Sequence, residues 1–294
     1  MKRALKTTVV TLMVLVSMLT VYGFAIEPRL ILDEERHSAV IPGLSAKADG
    51  TEIAVIADMQ VGMWFANTGM VERIVERVVD EEPAALLIAG DFVYSEDPPN
   101  PEKIDTVLDL LTPVLDAGIP TFAVLGNHDY VVNAADQLTD ALSSHGVTVL
   151  HNASAPLPIT GADGAQEALH IVGIGPAYQG LADVDQALSE VPENAPRLVM
   201  MHNPNTFPAL PPGSAPLAVA GHTHCGQIAV PGTPQWSWLT WTTNETMVAD
   251  GFAPKDFGAE GNALFVTCGI GFSDLPVRIS APPQLVLFDL QAPA

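Results

Sequence analysis

Asp58, Asp91, Asn127, His128, His202, His222 and His224 each follow a short apolar run. Together they are the residues of this sequence best equipped for chemistry. The runs end Ile56-Ala57-Asp58-Met59-Gln60, Ala89-Gly90-Asp91, Gly126-Asn127-His128-Asp129, Met201-His202-Asn203-Pro204 and Ala220-Gly221-His222-Thr223-His224. Carboxylates and imidazoles are ligands for first-row divalent cations, and one Asp can bridge two ions held about 3.5–4 Å apart. Singly, each residue has a plain structural use: an Asp after a strand caps a helix, a lone His satisfies a hydrogen bond, and Gly-Asn makes a turn. In this order they point to a two-metal site, because an α/β sheet gathers its ligands outside the carboxyl ends of its strands. Such a site lowers the pKa of bound water towards about 7 and supports hydrolysis at neutral pH.

For these side chains to meet, apolar strands must deliver them. Residues 52–58 read as a buried strand. Residues 70–79 read as a helix with Asn67 and Thr68 as caps and Pro83 beyond its end, and 84–91 as the next strand. Residues 103–117 read as a helix closed by Gly118, and 121–127 as the third strand. This βαβαβ order predicts parallel strands covered by helices. Later apolar runs at 169–174, 197–202, 217–221, 227–230, 263–267 and 284–290 have few helices between them, which predicts a more strand-rich second sheet packed on the first.

The chain has 294 residues, 48% hydrophobic and 16% charged, with 12 basic against 34 acidic side chains and a net charge of −22. That composition suits a packed core and not a disordered acidic tail. It also lacks the basic stripe that neutralises phosphates, so no nucleic-acid partner is expected. Lys2, Arg3 and Lys6 precede a charge-free run over 7–26, which as a helix spans roughly 30 Å, the thickness of a bilayer core. Glu27, Asp33, Glu34 and Glu35 follow, an asymmetry that puts the N-terminus in the cytoplasm and the domain on the extracytoplasmic side of the cytoplasmic membrane. The competing reading is a cleaved signal peptide, with Gly23-Phe24-Ala25 offering small residues, although the run exceeds a usual h-region. Residues 1–26 thus read as a signal-anchor or signal peptide, 27–50 as a polar tether with regular structure beginning at Thr51, and 51–294 as one domain.

The series Asp58, Gly90-Asp91, Gly126-Asn127-His128-Asp129, His202 and Gly221-His222-Thr223-His224 resembles the calcineurin-like metallophosphoesterases. The stretches Gly221 to Ile228, Cys268 to Gly271 and Pro276 to Ile279 are similar to those of the membrane-associated YaeI/YkuE-type phosphohydrolases. The resemblance covers residues 27–290 and implies an α/β fold, a four-layer αββα sandwich of two mixed sheets. It implies that Asp58 and His224 hold a first metal, that Asp91 bridges, and that Asn127, His202 and His222 complete a second site. His128 would lie near the phosphate as a donor, with Asn127 also facing substrate, so that Asp91 and His128 are the catalytic candidates. The cofactors implied are two divalent ions, Mn first, with Fe, Zn or Mg as alternatives. The nucleophile would be a metal-bridging hydroxide.

The family pattern Asp-x-His is replaced here by Asp58-Met59-Gln60. A Gln carbonyl oxygen is a harder and weaker donor than imidazole, so Gln60 as a ligand tilts the first site towards Mn²⁺ or Mg²⁺ over Zn²⁺. His202-Asn203-Pro204-Asn205 ends in Asn where relatives often carry Asp, and Cys225 replaces a common Gly. Cys225 and Cys268, the only cysteines, are read either as a disulfide or as two buried thiols. Trp236, Trp238, Leu239 and Trp241 follow the His-Thr-His turn. They read either as a loop stapled down by its aromatics or as a surface for membrane, nucleobase or sugar. Arg278 would contact substrate phosphate or close a structural ion pair. Asn152-Ala153-Ser154 and Asn244-Glu245-Thr246 match a glycosylation acceptor pattern. The expected activity is phosphohydrolysis of a phosphodiester, pyrophosphate or phosphomonoester, with a lipid-linked substrate suggested by the anchor. The alternatives are a nucleotide-sugar-lipid pyrophosphatase and a non-catalytic membrane-held binding protein with a weakened first metal site.

Overall fold

The structure, a computed structural model, describes residues 2–160, 166–243, 247 and 249–294. The Asn244-Glu245-Thr246 acceptor pattern lies outside the described residues. Helix α1 (Lys2–Val21) passes through a π-helical turn (Tyr22–Ile26) into the short α2 (Glu27–Leu30). Then come β1 (Asp33–Val40), β2 (Thr51–Ile56), α3 (Thr68–Glu81), β3 (Ala85–Ala89), α4 (Asn100–Asp116), β4 (Thr121–Val124), α5 (Asn127–Val131) and α6 (Ala135–Ser144). The second half runs β5 (Thr148–Val149), β6 (Ala153–Thr160), β7 (Gln166–Gly173), α7 (Val184–Leu188), β8 (Arg197–Met200) and β9 (Ala218–Ala220). It closes with β10 (Ala229–Val230), β11 (Thr233–Ser237), α8 (Trp238–Thr242), β12 (Gly251–Phe252), β13 (Leu264–Val266) and β14 (Gln284–Gln291).

Two six-stranded mixed sheets result, ordered β1-β14-β2-β3-β4-β5 and β12-β13-β9-β8-β7-β6. Strands β2 to β5 are mutually parallel, as are β7, β8, β9 and β13, while β14 runs antiparallel to β2. The layering follows from side-chain alternation along each strand. Ile53 and Val55 of β2 enter a core shared with Leu198, Met200 and Val219 of the second sheet. Ala54 and Ile56 turn the other way, against Met70, Val71, Ile74 and Val78 of α3. Those four recur at helical spacing, and burying each side chain contributes about 1.5–3 kcal/mol. On the far side, Val172, Val199 and Ala220 pack beneath Ala187 of α7 and Phe207.

Two features depart from the sequence reading. Residues 27–50 contain β1, which pairs in parallel with β14 from Asp33↔Gln284 to Val40↔Gln291, so regular structure begins well before Thr51. As an edge strand half facing water, β1 carries Asp-Glu-Glu-Arg-His-Ser-Ala-Val and shows no apolar run. Its Arg36 ties it to Glu52 and Glu81. Residues 284–290 join the first sheet, not the second, and 227–230 contributes only a two-stranded ribbon, β10 with β11.

Candidate metal centre

The carboxyl ends of β2, β3, β4, β8 and β9 converge, as their sequence order predicted. The backbone bends sharply to deliver the side chains: Asp58, Gln60, Asp91, His222 and His224 all have positive φ, between 47° and 75°. For a residue other than Gly this conformation costs on the order of 1–3 kcal/mol, and the interlocked turns hold it in place. Asp58 N–H donates to Gly90 O (2.9 Å) and Gln60 N–H to Asp91 O (3.0 Å), stitching the ends of β2 and β3 together. Gly221 is required by close approach, since a Cβ there would sit 2.7 Å from Asp58 Oδ2.

Asp91 lies at the centre. It is buried, accepts His128 N–H at Oδ1 (2.9 Å) and Gln60 Nε2–H at Oδ2 (3.0 Å), and its Oδ2 is 3.2 Å from His202 Nε2. His202 donates Nδ1–H to Ala89 O (2.8 Å), so in the neutral ring the Nε2 lone pair faces the Asp91 carboxylate. Two acceptors pointing at each other in a buried site need a proton or a cation between them. Gln60 Oε1 is a further buried acceptor without a hydrogen-bond partner among the described residues. Asp91, His202 and His222 offer ligand atoms that all lie within 4.8 Å of one another, and the His202 and His222 ring centroids are 5.1 Å apart. This donor set fits a divalent cation.

Electrostatics lead to the same place. Burial pushes Asp58 up to about 7, with Asp91 adding to the rise and His202 opposing it. Burial would raise Asp91 too, yet His202 and His128 hold it well below the usual carboxylate range. Burial depresses His202, but the Asp91 charge and hydrogen bond reverse this and raise it to about 9. Without a metal, the Asp91 charge is thus met by a proton on His202, and a divalent ion would take that proton's place.

The side built on Asp58 fits an ion less completely. Both Asp58 oxygens accept His222 N–H (3.2 and 3.1 Å), and His224 Nε2 stands 3.8 Å from Asp58 Oδ1. His224 Nδ1 accepts from Arg278, which leaves the proton of the neutral ring on Nε2, the atom turned to Asp58.

Residues 51–226 match the family described as Calcineurin-like phosphoesterase. The chain belongs to that family. It is 27% identical over 249 residues to phosphodiesterase YaeI of Escherichia coli K12, covering 81% of this chain and 82% of YaeI. It is 24% identical over 280 residues to the uncharacterized metallophosphoesterase YkuE of Bacillus subtilis, covering 92% and 90%. To UDP-2,3-diacylglucosamine pyrophosphatase LpxG of Chlamydia trachomatis it is 22% identical over 313 residues, covering 91% of each. As a calcineurin-like phosphoesterase the chain is a phosphoester hydrolase of a metal-dependent family.

Within this family member, Asp58, Gln60, Asp91, Asn127, His128, His202, His222 and His224 come together, and Arg278 does not join them at an open face. Arg278 is fully buried behind His224. Its Nε donates to Gly271 O (2.9 Å), Nη1 to Ala281 O (2.8 Å) and Nη2 to Cys268 O (2.9 Å), so its donors are taken up by backbone carbonyls. Among the described residues its hydrogen-bond partners are carbonyls and an imidazole, and the charges that act on it are those of Asp58 and Glu27. Cys225 and Cys268 form a disulfide, closing the alternative of two thiols.

Three supporting residues have no role in the sequence reading. Asn203 donates Nδ2–H to Asn127 Oδ1 (3.3 Å) and takes Ala177 N–H on its own Oδ1 (2.9 Å), fixing the Asn127 amide. Buried Asp129 accepts Gly126 N–H (2.9 Å) and Val93 N–H (3.0 Å), locking the turn that presents Asn127 and His128. The Tyr94 ring centroid lies 4.4 Å from that of His128. Their signal was adjacency: Asn203 follows His202, Asp129 follows His128, and Tyr94 lies three residues past Asp91.

Proposed function

We propose that this chain is a membrane-anchored phosphohydrolase whose centre takes two divalent ions, Mn²⁺ first, and that it cleaves a phosphodiester or pyrophosphate more readily than a monoester. The facing atoms His202 Nε2 and Asp91 Oδ2 carry the reading, because in a buried site they need a proton or a cation between them and a divalent ion can take the proton's place. When bound, the ions would activate water and neutralise phosphate charge. Asp91 would bridge them. Asn127, His202 and His222 would hold the tighter ion, and Asp58 with Gln60 the weaker, His224 joining them only where its ring gives up the Arg278 bond at Nδ1 and the proton at Nε2. A Gln carbonyl in place of imidazole favours Mn²⁺ or Mg²⁺ over Zn²⁺.

The protein's own groups do the positioning. Burial lowers the pKa of His128 although Asp91 opposes it, so at pH 7 its ring is neutral and serves as a hydrogen-bond donor to a phosphate or leaving oxygen. Asn203 holds Asn127 for the same purpose. Helix α1 has no buried residue and continues into the domain, which supports an uncleaved anchor, with the basic N-terminus in the cytoplasm and the domain outside. A lipid-linked phosphoester is then the substrate class that meets the site most directly. The relation to LpxG supports a second reading, a nucleotide-sugar-lipid pyrophosphatase, which needs the opposite side of the membrane.

The test is hydrolysis of bis-p-nitrophenyl phosphate with added Mn²⁺. Wild type is expected to turn over, EDTA to abolish turnover, and Asp91→Ala to leave only background. If no divalent ion supports hydrolysis of any phosphoester, the chain is a binding protein.

A further inference from the structure

The chain has four tryptophans, Trp64, Trp236, Trp238 and Trp241, and they are 55%, 61%, 37% and 74% exposed. Tryptophan is normally well buried, and exposing every copy calls for a reason. Trp64 and Trp238 lie on segments tied to the root of α1, and Trp236 and Trp241 belong to the same ribbon and helix as Trp238. On one side, Trp64 packs on Phe65 and Phe65 on Phe24 of the π-helical turn, each pair with centroids 5.5 Å apart. Arg29 fastens this side by donating to Phe65 O (2.9 Å) and Phe24 O (3.2 Å). On the other, Gly23 lies against Val277 and Ile279. Ile279 pairs with Ile228, and Trp238 N–H donates to Ile228 O (2.8 Å), which seats α8 and the ribbon beside the helix root. Two aromatic segments, the collar, are thus tied to the point where an exposed apolar helix leaves the domain.

We propose that this collar seats the domain on the same lipid bilayer that takes up α1. The proposal rests on the anchored reading above and adds an orientation to it. A bilayer is the occupant because collar and helix are continuous, so whatever covers the apolar length of α1 meets the collar next. Tryptophan also prefers the headgroup level, where its ring is buried and its N–H stays wet. At a net charge of −22 the chain gains nothing from anionic lipid, so aromatic burial and not charge provides the attraction. The collar leads straight to the metal centre. Trp64 Nε1–H donates to Asp274 O (3.4 Å), Asp274 N–H donates to Tyr94 Oη (3.2 Å), and Tyr94 stands against His128. Seated in this way, the rim of the site lies at the headgroups, where a lipid-borne phosphoester enters without leaving the membrane.

Because α1 contains no tryptophan, the intrinsic emission of the full chain reports the collar alone. In phosphatidylcholine vesicles with brominated acyl chains, the emission is expected to shift to shorter wavelength, to be strongly quenched by the bromines, and to resist aqueous acrylamide. Emission that stays acrylamide-sensitive and untouched by bromine, in protein shown by flotation to be on the vesicles, overturns the proposal. Trp236→Ser combined with Trp241→Ser should slow turnover of a vesicle-borne phosphodiester and leave bis-p-nitrophenyl phosphate turnover unchanged; equal rates on both substrates count against it. Bromine quenching without hydrolysis of any vesicle-borne ester upholds the seating and sinks the lipid-substrate reading. Hydrolysis of the soluble diester without quenching sinks the seating and upholds the phosphohydrolase reading.

Discussion

Arg278 Nη2 donates to His224 Nδ1 at 3.1 Å, and the Arg278 backbone N–H donates to Gly23 O at 2.8 Å, so one residue joins the root of the apolar helix to the His-x-His turn. Arginine has no acceptor, so the bond fixes His224 Nδ1 as the lone-pair atom. Burial and the Arg278 charge together hold the His224 pKa well below its ordinary value, and the ring is neutral at working pH. A second clamp acts on the same segment, where buried Glu27 accepts Ser280 N–H (3.0 Å) and Ala281 N–H (2.8 Å).

Arg278→Lys should therefore behave as a stability variant. One ammonium cannot reproduce the fork that serves Gly271, Cys268 and Ala281, and each buried carbonyl left without a donor costs about 1–3 kcal/mol. A fall in the melting temperature of metal-free protein is expected. A phosphate-contacting arginine would instead leave the melt alone and raise KM, and that result would return Arg278 to the substrate.

Gln60 now competes for Asp91. Its Nε2–H donates to Asp91 Oδ2 while its Oε1 is buried without a partner among the described residues. Gln60→His replaces a hard oxygen by imidazole and removes that donor from the carboxylate. Divalent affinity is expected to rise by about tenfold or more, with Zn²⁺ gaining over Mn²⁺, as read by calorimetric titration. Superimposable titrations for the two proteins would take Gln60 out of the site.

Metal should matter more to stability as pH rises. His202 ordinarily titrates near 6.5, and beside Asp91 it is raised to about 9. The raised group stabilises the metal-free fold fully below about pH 6.5, and that contribution is lost as pH climbs towards 9. A bound cation replaces the proton against Asp91. The melting temperature in EDTA should fall between pH 6.5 and 9, the Mn²⁺-saturated curve should be flatter, and the gap should widen with pH. Parallel curves would mean that His202 does not face the ion.

The series of site residues was legible because each member follows an apolar run that must be a strand, and strand ends in a parallel sheet converge. Strand β1 was not, since its polar alternation reflects an edge position and its partner β14 lies some 250 positions away in sequence. Arg278 was ambiguous for a related reason: residue type shows that a guanidinium exists but not whether carbonyls surround it. The disulfide was open because sequence cannot place two Cα atoms at 4.7 Å.

That disulfide supplies a last prediction. Cys225 directly follows His224, and Cys268 precedes Gly269, whose φ of 62° lets the chain pass against Asp58. The bond therefore ties together the turn that carries His224 and the turn that passes against Asp58. It closes a separation of 43 residues, for which the chain-entropy account gives roughly 4 kcal/mol of stabilisation. Cys225→Ser combined with Cys268→Ser should lower the unfolding free energy in urea by about that amount or somewhat less, given the structure that a denatured chain retains. The weaker metal should be released before the tighter one, since Asp91, His202 and His222 do not depend on the bond. Equal loss of both ions, or an unchanged urea midpoint, would show that the turns hold themselves.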